Sequence, residues 1–320
     1  MQKLLDLAHV QKHIQILKSF DLRSVSMDEI RKHLFEIKDH IGTRRIYPKG
    51  TVVCRSLRLK DNDDIFTTEE RISYNKNTNG MAFGRATYEE TTAFYGSLNT
   101  AIVNCDATSA FEILPHSTDD KIERYNIVSG KWVMQRDMDL FFIGGGGNLL
   151  HLCDDGVSRH NLLYDYIRQD KSNIIILKII DTFLCDEFSK VVDPNTPWNY
   201  KISACYSEIL KEKGEVGVVY PSVKSNGAGL NIVLFPPSVD KGLIKLERAF
   251  YGTHYNRKGE YINEYNLLAD IDDGILRWRE DYAVLKPLPN FVKKYYSGLT
   301  TEKPQFLKYA NYTDIGVARI

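Results

Sequence analysis

YPSVKSNGAGLNIVLFP, residues 220–236, holds the end of one apolar run, a glycine-rich turn and a second apolar run. Val216 to Tyr220 and Leu230 to Phe235 are short and rich in β-branched residues, so they read as strands bracketing the turn. Upstream, Asn199 to Lys211 has the apolar spacing of an amphipathic helix. Asn173 to Thr182 is a run that suits either a fully buried strand or a helix. Further back, Lys131 to Ile143 contains strand-like pieces, and Asp106 to Leu114 reads as a short helix capped by Asp106. Residues 60–83 are polar and irregular, and Thr51 to Leu57 is another strand candidate. Strands and helices thus mix without a regular βαβ alternation, which predicts an α+β fold.

The chain opens on helices. Leu4, Leu5, Leu7, Ala8, Val10, Ile14 and Leu17 recur at helical spacing over residues 2–19. Ser26 and Glu29 fit a capping box for a second helix carrying Ile30, Leu34 and Ile37, with Gly42 as its stop. Residues 1–44 therefore read as an N-terminal helical segment. Because two helices alone bury little, they are expected to pack on the rest of the chain.

Composition removes several functional classes. Lys+Arg and Asp+Glu are both 42 in 320 residues, so the basic surplus of a nucleic-acid binder is missing. The longest apolar runs are too short to span a bilayer, and Met1-Gln2-Lys3 opens no signal-peptide stretch. A cytoplasmic protein is the expectation. Cys54, Cys105, Cys153, Cys185 and Cys205 are scattered and odd in number. They predict neither a zinc site nor a disulfide framework, but small buried hydrophobes.

Two local motifs invite chemistry and fall short of it. His9 and His13 stand four apart on a helix, a spacing that suits a shared metal. Val10-Gln11-Lys12 between them lacks the glutamate of a metalloprotease motif, so surface histidines are expected and no metal. Gly144 to Gly147 follow an apolar stretch as a phosphate loop would. No Lys-Ser/Thr pair follows, so a tight loop is expected, with a nucleotide-dependent transferase as the rival.

A third set carries more. In chain order it contains Arg55 in VVCRSLR, Arg85 and Tyr95 in FGRATYEETTAFYGS, Glu112 in DATSAFEIL, and Ser222 and Asn231 in the opening stretch. This order resembles the RES-domain family, named for its Arg, Glu and Ser. FLCDEFSK at 183–190 and YKISACYSEIL at 200–210 look like its longer bacterial members. The resemblance spans residues 46–250, with residues 115–180 as an insertion and 251–320 as a C-terminal extension.

The resemblance implies a fold like that of ADP-ribosyltransferases and a toxin-like enzyme that consumes NAD+ by breaking its nicotinamide–ribose bond. NAD+ would be substrate, and water, phosphate or a protein the acceptor. Glu112, Arg55 and Ser222 would be catalytic, and Arg55, Arg85, Tyr95, Ser222 and Asn231 would bind NAD+. All are expected to converge on one cleft. An antitoxin protein is a possible partner, and a homo-oligomer is left open. The rival within this reading is a non-catalytic NAD+ or ADP-ribose-binding module.

Overall fold

The computed structural model of the chain describes residues 6–37, 43–60, 63–100, 103–114, 123–144, 171–225, 227–257 and 260–279. These form one ten-stranded sheet. Its strands are β1 (Thr43–Tyr47), β2 (Val52–Arg58), β3 (Phe94–Leu98), β4 (Glu123–Met134), β5 (Met138–Phe142), β6 (Gly217–Pro221), β7 (Leu230–Leu234), β8 (Ile244–Arg257), β9 (Glu260–Asp272) and β10 (Ile275–Arg279). Across the sheet they run β1-β5-β6-β7-β3-β2-β4-β8-β9-β10. Every neighbour is antiparallel except β5 beside β6. The helices are α1 (Leu7–Ser19), α2 (Met27–Ile37), α3 (Glu69–Ile72), α4 (Cys105–Ile113), α5 (Lys171–Phe188), α6 (Lys201–Glu212) and α7 (Pro236–Asp240). The class is α+β. No helix among the described residues is long and apolar enough to cross a membrane.

Alternation along the strands splits the core in two. Val53, Phe94, Trp132, Ile232 and Leu234 belong to a cluster on one face, with Ile72 of α3. Val218, Tyr220 and Val233 face the other way and join Phe183 and Phe188 of α5 and Ile202 and Ile209 of α6. The same cluster takes in Val10, Ile14 and Leu17 of α1 and Ile30, Leu34 and Ile37 of α2, so the two N-terminal helices share the core of that face. Two polar links tie them further: Arg31 pairs with Glu212, and Lys201 Nζ donates to the Val25 carbonyl at 2.8 Å.

Several expectations shift. The Ser26 cap holds, its hydroxyl accepting from the Glu29 N–H at 3.2 Å; Gly42 lies outside the described residues. The run from Asn173 to Thr182 is the middle of α5, which buries Ile176 and Ile180 but exposes Ile175. It is therefore an amphipathic helix and not a fully buried segment. The cap of α4 is Asn104 and not Asp106: the Asn104 side chain accepts from the Ala107 N–H at 2.8 Å, while Asp106 already sits in the first turn.

The divisions drawn along the chain also move. Residues 115–180, read as an insertion, include β4 and β5, and β4 lies between β2 and β8 inside the sheet. A division at 250 falls within β8, and β9 and β10 continue the same sheet. Both segments lack the quoted motifs, yet they supply backbone partners that the inner strands need. Cys54 and Cys105, 51 residues apart, are joined as a disulfide, because β2 runs beneath the start of α4. Sequence spacing alone does not show that approach. Cys185 and Cys205 are buried free thiols, each pushed up to about 11 by burial, as inert small hydrophobes should be.

Candidate functional site

The helix α4 lies across the sheet face that β2, β3 and β7 present. Ala110 and Leu114 on it pack on Ile127 of β4 and Tyr265 of β9, and Phe111 packs with Ala228 in the turn between β6 and β7. This places Glu112, in the last turn of α4, beside the residues that follow β6. There the Ser222 hydroxyl donates to Glu112 Oε1 at 2.5 Å. Asn231 Nδ2, on β7, donates to the same oxygen at 2.8 Å. Two motifs more than a hundred residues apart thus meet on one carboxylate oxygen.

The support beneath that carboxylate is polar and closed. Asn231 Oδ1 accepts from the Ser97 hydroxyl of β3 at 3.1 Å. Ser97 and Asn231 are register partners, so the sheet itself fixes their approach. Ser222 has no solvent exposure, and Ser97 and Asn231 are buried. The Ser222 N–H donates to the Gly229 carbonyl at 2.9 Å, and the Gly229 N–H donates to Ser225 Oγ at 2.8 Å. Buried polar groups are costly unless paired, and here each pairs within the site. A second hydroxyl chain runs under α4: Ser56 Oγ lies 2.8 Å from Ser109 Oγ and 2.7 Å from Ser129 Oγ.

Arg85 stands on the same face, at a different task. Its guanidinium donates to the carbonyls of Phe188 and Lys190, the latter at 3.1 Å. It also lies 5.0 Å from the Tyr200 ring centroid and 5.8 Å from that of Tyr220. A cation at the carbonyl end of α5 meets the negative pole of the helix. Tyr95 holds the turn that carries it: the Tyr95 hydroxyl accepts from the Ala86 N–H at 3.0 Å and lies 3.2 Å from Thr87 Oγ1. Burial pushes the Tyr95 phenol up, against the pull of these two bonds. The Tyr220 phenol is raised well above the usual range, chiefly by burial, with Arg85 pulling it down and Glu112 pushing it up.

Arg55 departs from the expected convergence. Cys54 and Ser56 on β2 point toward α4, as the bridge to Cys105 and the bond to Ser109 show. Alternation turns Arg55 to the opposite face. There its Nε donates to the Ser73 carbonyl at 3.0 Å, Nη1 donates to the Tyr95 carbonyl at 2.7 Å, and the guanidinium lies 5.5 Å from the Phe94 centroid. Loss of hydration pulls it down to about 10, which still leaves a cation at neutral pH. The structure gathers Glu112, Ser222 and Asn231 in direct contact, sets Tyr95 and Arg85 on their face, and separates Arg55 by the thickness of the sheet.

Sequence reading missed Ser97, Tyr200 and Tyr220. Ser97 had a signal: it stands two residues from Tyr95 on a strand and so shares its face. Of the glycine run, Gly144 alone is described. Its N–H donates to Asp181 Oδ1 at 3.2 Å; Gly145 to Gly147 lie outside the described residues.

No family model matches the chain, and no curated protein does. Among solved structures the chain is similar to one in the crystal structure of the M. tuberculosis MbcT–MbcA toxin–antitoxin complex. The identity is 12%, the TM-score is 0.31, and the match covers 71% of this chain and 93% of that one.

Proposed function

We propose that this protein is an NAD+-consuming enzyme of toxin-like type that cleaves the nicotinamide–ribose bond at the Glu112 carboxylate. The observation that carries the reading is the double hydrogen bond from Ser222 and Asn231 onto Glu112 Oε1. Three of the residues that the RES-domain resemblance implies, Glu112, Ser222 and Asn231, are in direct contact. Two donors on one oxygen hold the carboxylate in place, and in this reading Oε2 is the oxygen that meets the substrate.

The chemistry follows from that fixed charge. As the bond from ribose C1′ to the nicotinamide nitrogen breaks, its electron pair leaves with nicotinamide, and positive charge develops on the sugar. A carboxylate held in place stabilises this charge without having to reorganise. An acceptor oxygen, from water, phosphate or a protein side chain, then bonds to C1′ and releases its proton. Tyr95, half-buried on this face, offers aromatic surface for the flat nicotinamide cation. Arg85 supplies positive charge for the pyrophosphate.

A second reading, a non-catalytic module that binds NAD+ or ADP-ribose, draws on the separation of Arg55 from the cluster. One experiment tests both. Purified protein is incubated with NAD+, with and without phosphate, and the products are separated by chromatography. Release of nicotinamide with ADP-ribose, its 1″-phosphate or labelled protein supports the enzyme and identifies the acceptor. Binding of NAD+ by calorimetry without nicotinamide release would leave the module reading, and absence of both would overturn the two together.

A further inference from the structure

The helical hairpin α1–α2 holds a cluster that the proposed reaction does not use. His9 and His13 lie one turn apart on α1, their ring centroids 4.4 Å from each other. Across from them on α2, Glu36 Oε2 lies 3.1 Å from His9 Nε2. His9, His13 and Glu36 each offer a ligand atom within 4.8 Å of the other two. Ligands at about 2.0–2.2 Å from a tetrahedral zinc ion stand roughly 3.3–3.5 Å from one another. The His9–Glu36 edge is already near that length, and the two edges to His13 are no longer than 4.8 Å.

The surroundings set the tautomer that a ligand needs. His33 Nε2 lies 3.2 Å from Glu29 Oε1. A carboxylate only accepts, so His33 Nε2 carries the proton and donates. In the Nε2–H tautomer His33 has its lone pair on Nδ1, which lies 2.8 Å from His13 Nδ1. With His33 in that tautomer, His13 donates from Nδ1 and keeps the lone pair on its Nε2. A carboxylate behind a histidine behind a ligand is the outer support that orients metal-bound imidazoles. His33 is buried, whereas His9 and Glu36 are within reach of solvent, with side-chain exposures of 38% and 48%.

We propose that His9, His13 and Glu36 form a binding site for a divalent transition-metal ion, zinc by the chemistry of its donors, supported by His33 and Glu29. Two imidazoles and one carboxylate leave a fourth position for water. The ion would clamp α1 to α2 and so stiffen the hairpin against α5 and α6. This reverses the expectation from sequence, where only the His9–His13 pair was in view and Glu36, 27 residues on, had no visible link to it.

The test uses the tag-free full chain, stripped with chelator and titrated with Zn²⁺ by calorimetry and with Co²⁺ by visible absorption. One equivalent of each metal is expected, with the intense visible bands of four-coordinate cobalt and a melting temperature that rises with zinc concentration. His9→Ala and Glu36→Gln, both at solvent-reached positions, should each weaken binding at least about tenfold while the far-ultraviolet spectrum stays unchanged. Glu29→Gln removes no ligand and should weaken it about ten- to a hundredfold. A parent chain that binds neither metal overturns the proposal. So does binding that His9→Ala and Glu36→Gln leave untouched, which would place the metal elsewhere. Because the readout is metal binding and not NAD+ turnover, failure here and failure of the proposed reaction are separate results.

Discussion

Glu112 and Arg85 share a face of the sheet but do different things there, and substitution separates them. Glu112→Gln keeps shape and both incoming hydrogen bonds, yet removes the charge. In the proposed reaction the effect of that charge belongs to the transition state, so turnover should fall about a hundred- to a thousandfold, or about 2.7–4 kcal/mol by analogy with oxyanion-hole donors. NAD+ affinity should hardly change. Arg85→Ala should weaken NAD+ binding and also lower the melting temperature, because it strips the carbonyls of Phe188 and Lys190 of a charged donor. Calorimetry, nicotinamide release and thermal melting on both variants check this. A Glu112→Gln enzyme that works like the parent refutes the role given to the carboxylate. At this scale the sequence showed which residues to examine, since Glu112, Ser222 and Asn231 stand in recognisable local contexts. It could not show that Arg55 turns away, because one position along β2 reverses the face of a side chain and the strand's own composition does not say which face meets α4.

At the scale of elements, the site depends on how closely α4 approaches the turn after β6. Gly229 sits in that turn, and a Cβ there would run into Thr108 Oγ1, lie 2.7 Å from Thr108 Cγ2 and lie 3.0 Å from Ser225 Oγ. Thr108 is fully buried on α4, so it has nowhere to retreat. Gly229→Ala must lift α4 from the turn and stretch the bond from Ser222 to Glu112. A cost of about 1–3 kcal/mol is expected from overpacking, together with reduced nicotinamide release in protein that remains folded. If denaturant unfolding and turnover both match the parent, the approach of α4 is not set at this glycine. Elements with strong local signals were legible: α1, α2, α6 and the β6–β7 pair follow from apolar spacing, caps and glycines. The run at 173–182 was not, because a short apolar stretch fits a strand and a helix equally and its buried partners come from elsewhere in the chain. The α4 cap slipped by two residues for a similar reason, since Asn104 and Asp106 are both good caps and only the fold chooses between them.

For the molecule as a whole, the α+β class was legible from the mixture of strands and helices, but not the extent of the sheet. The C-terminal strands β8, β9 and β10 carry none of the motifs on which the resemblance rests, and their membership in the sheet is a matter of backbone pairing. That pairing has a further consequence, in the order of events as the chain folds. The ladders β8–β9 and β9–β10 join neighbours in sequence, and hairpins of that kind close within microseconds. The ladder β3–β7 brings Ser97 to Asn231 across 134 residues, so a long loop must close before any of its bonds form. The residues that hold Glu112 are therefore expected to find one another late, after the C-terminal meander has formed. Pulsed hydrogen exchange during refolding should protect the amides of β9 and β10 before those of β3 and β7; simultaneous protection would show instead that the meander waits for the centre. A nascent chain with the β8–β10 hairpins in place would still lack the bonds that hold Glu112, and any activity that depends on them would appear only when the middle of the sheet has closed.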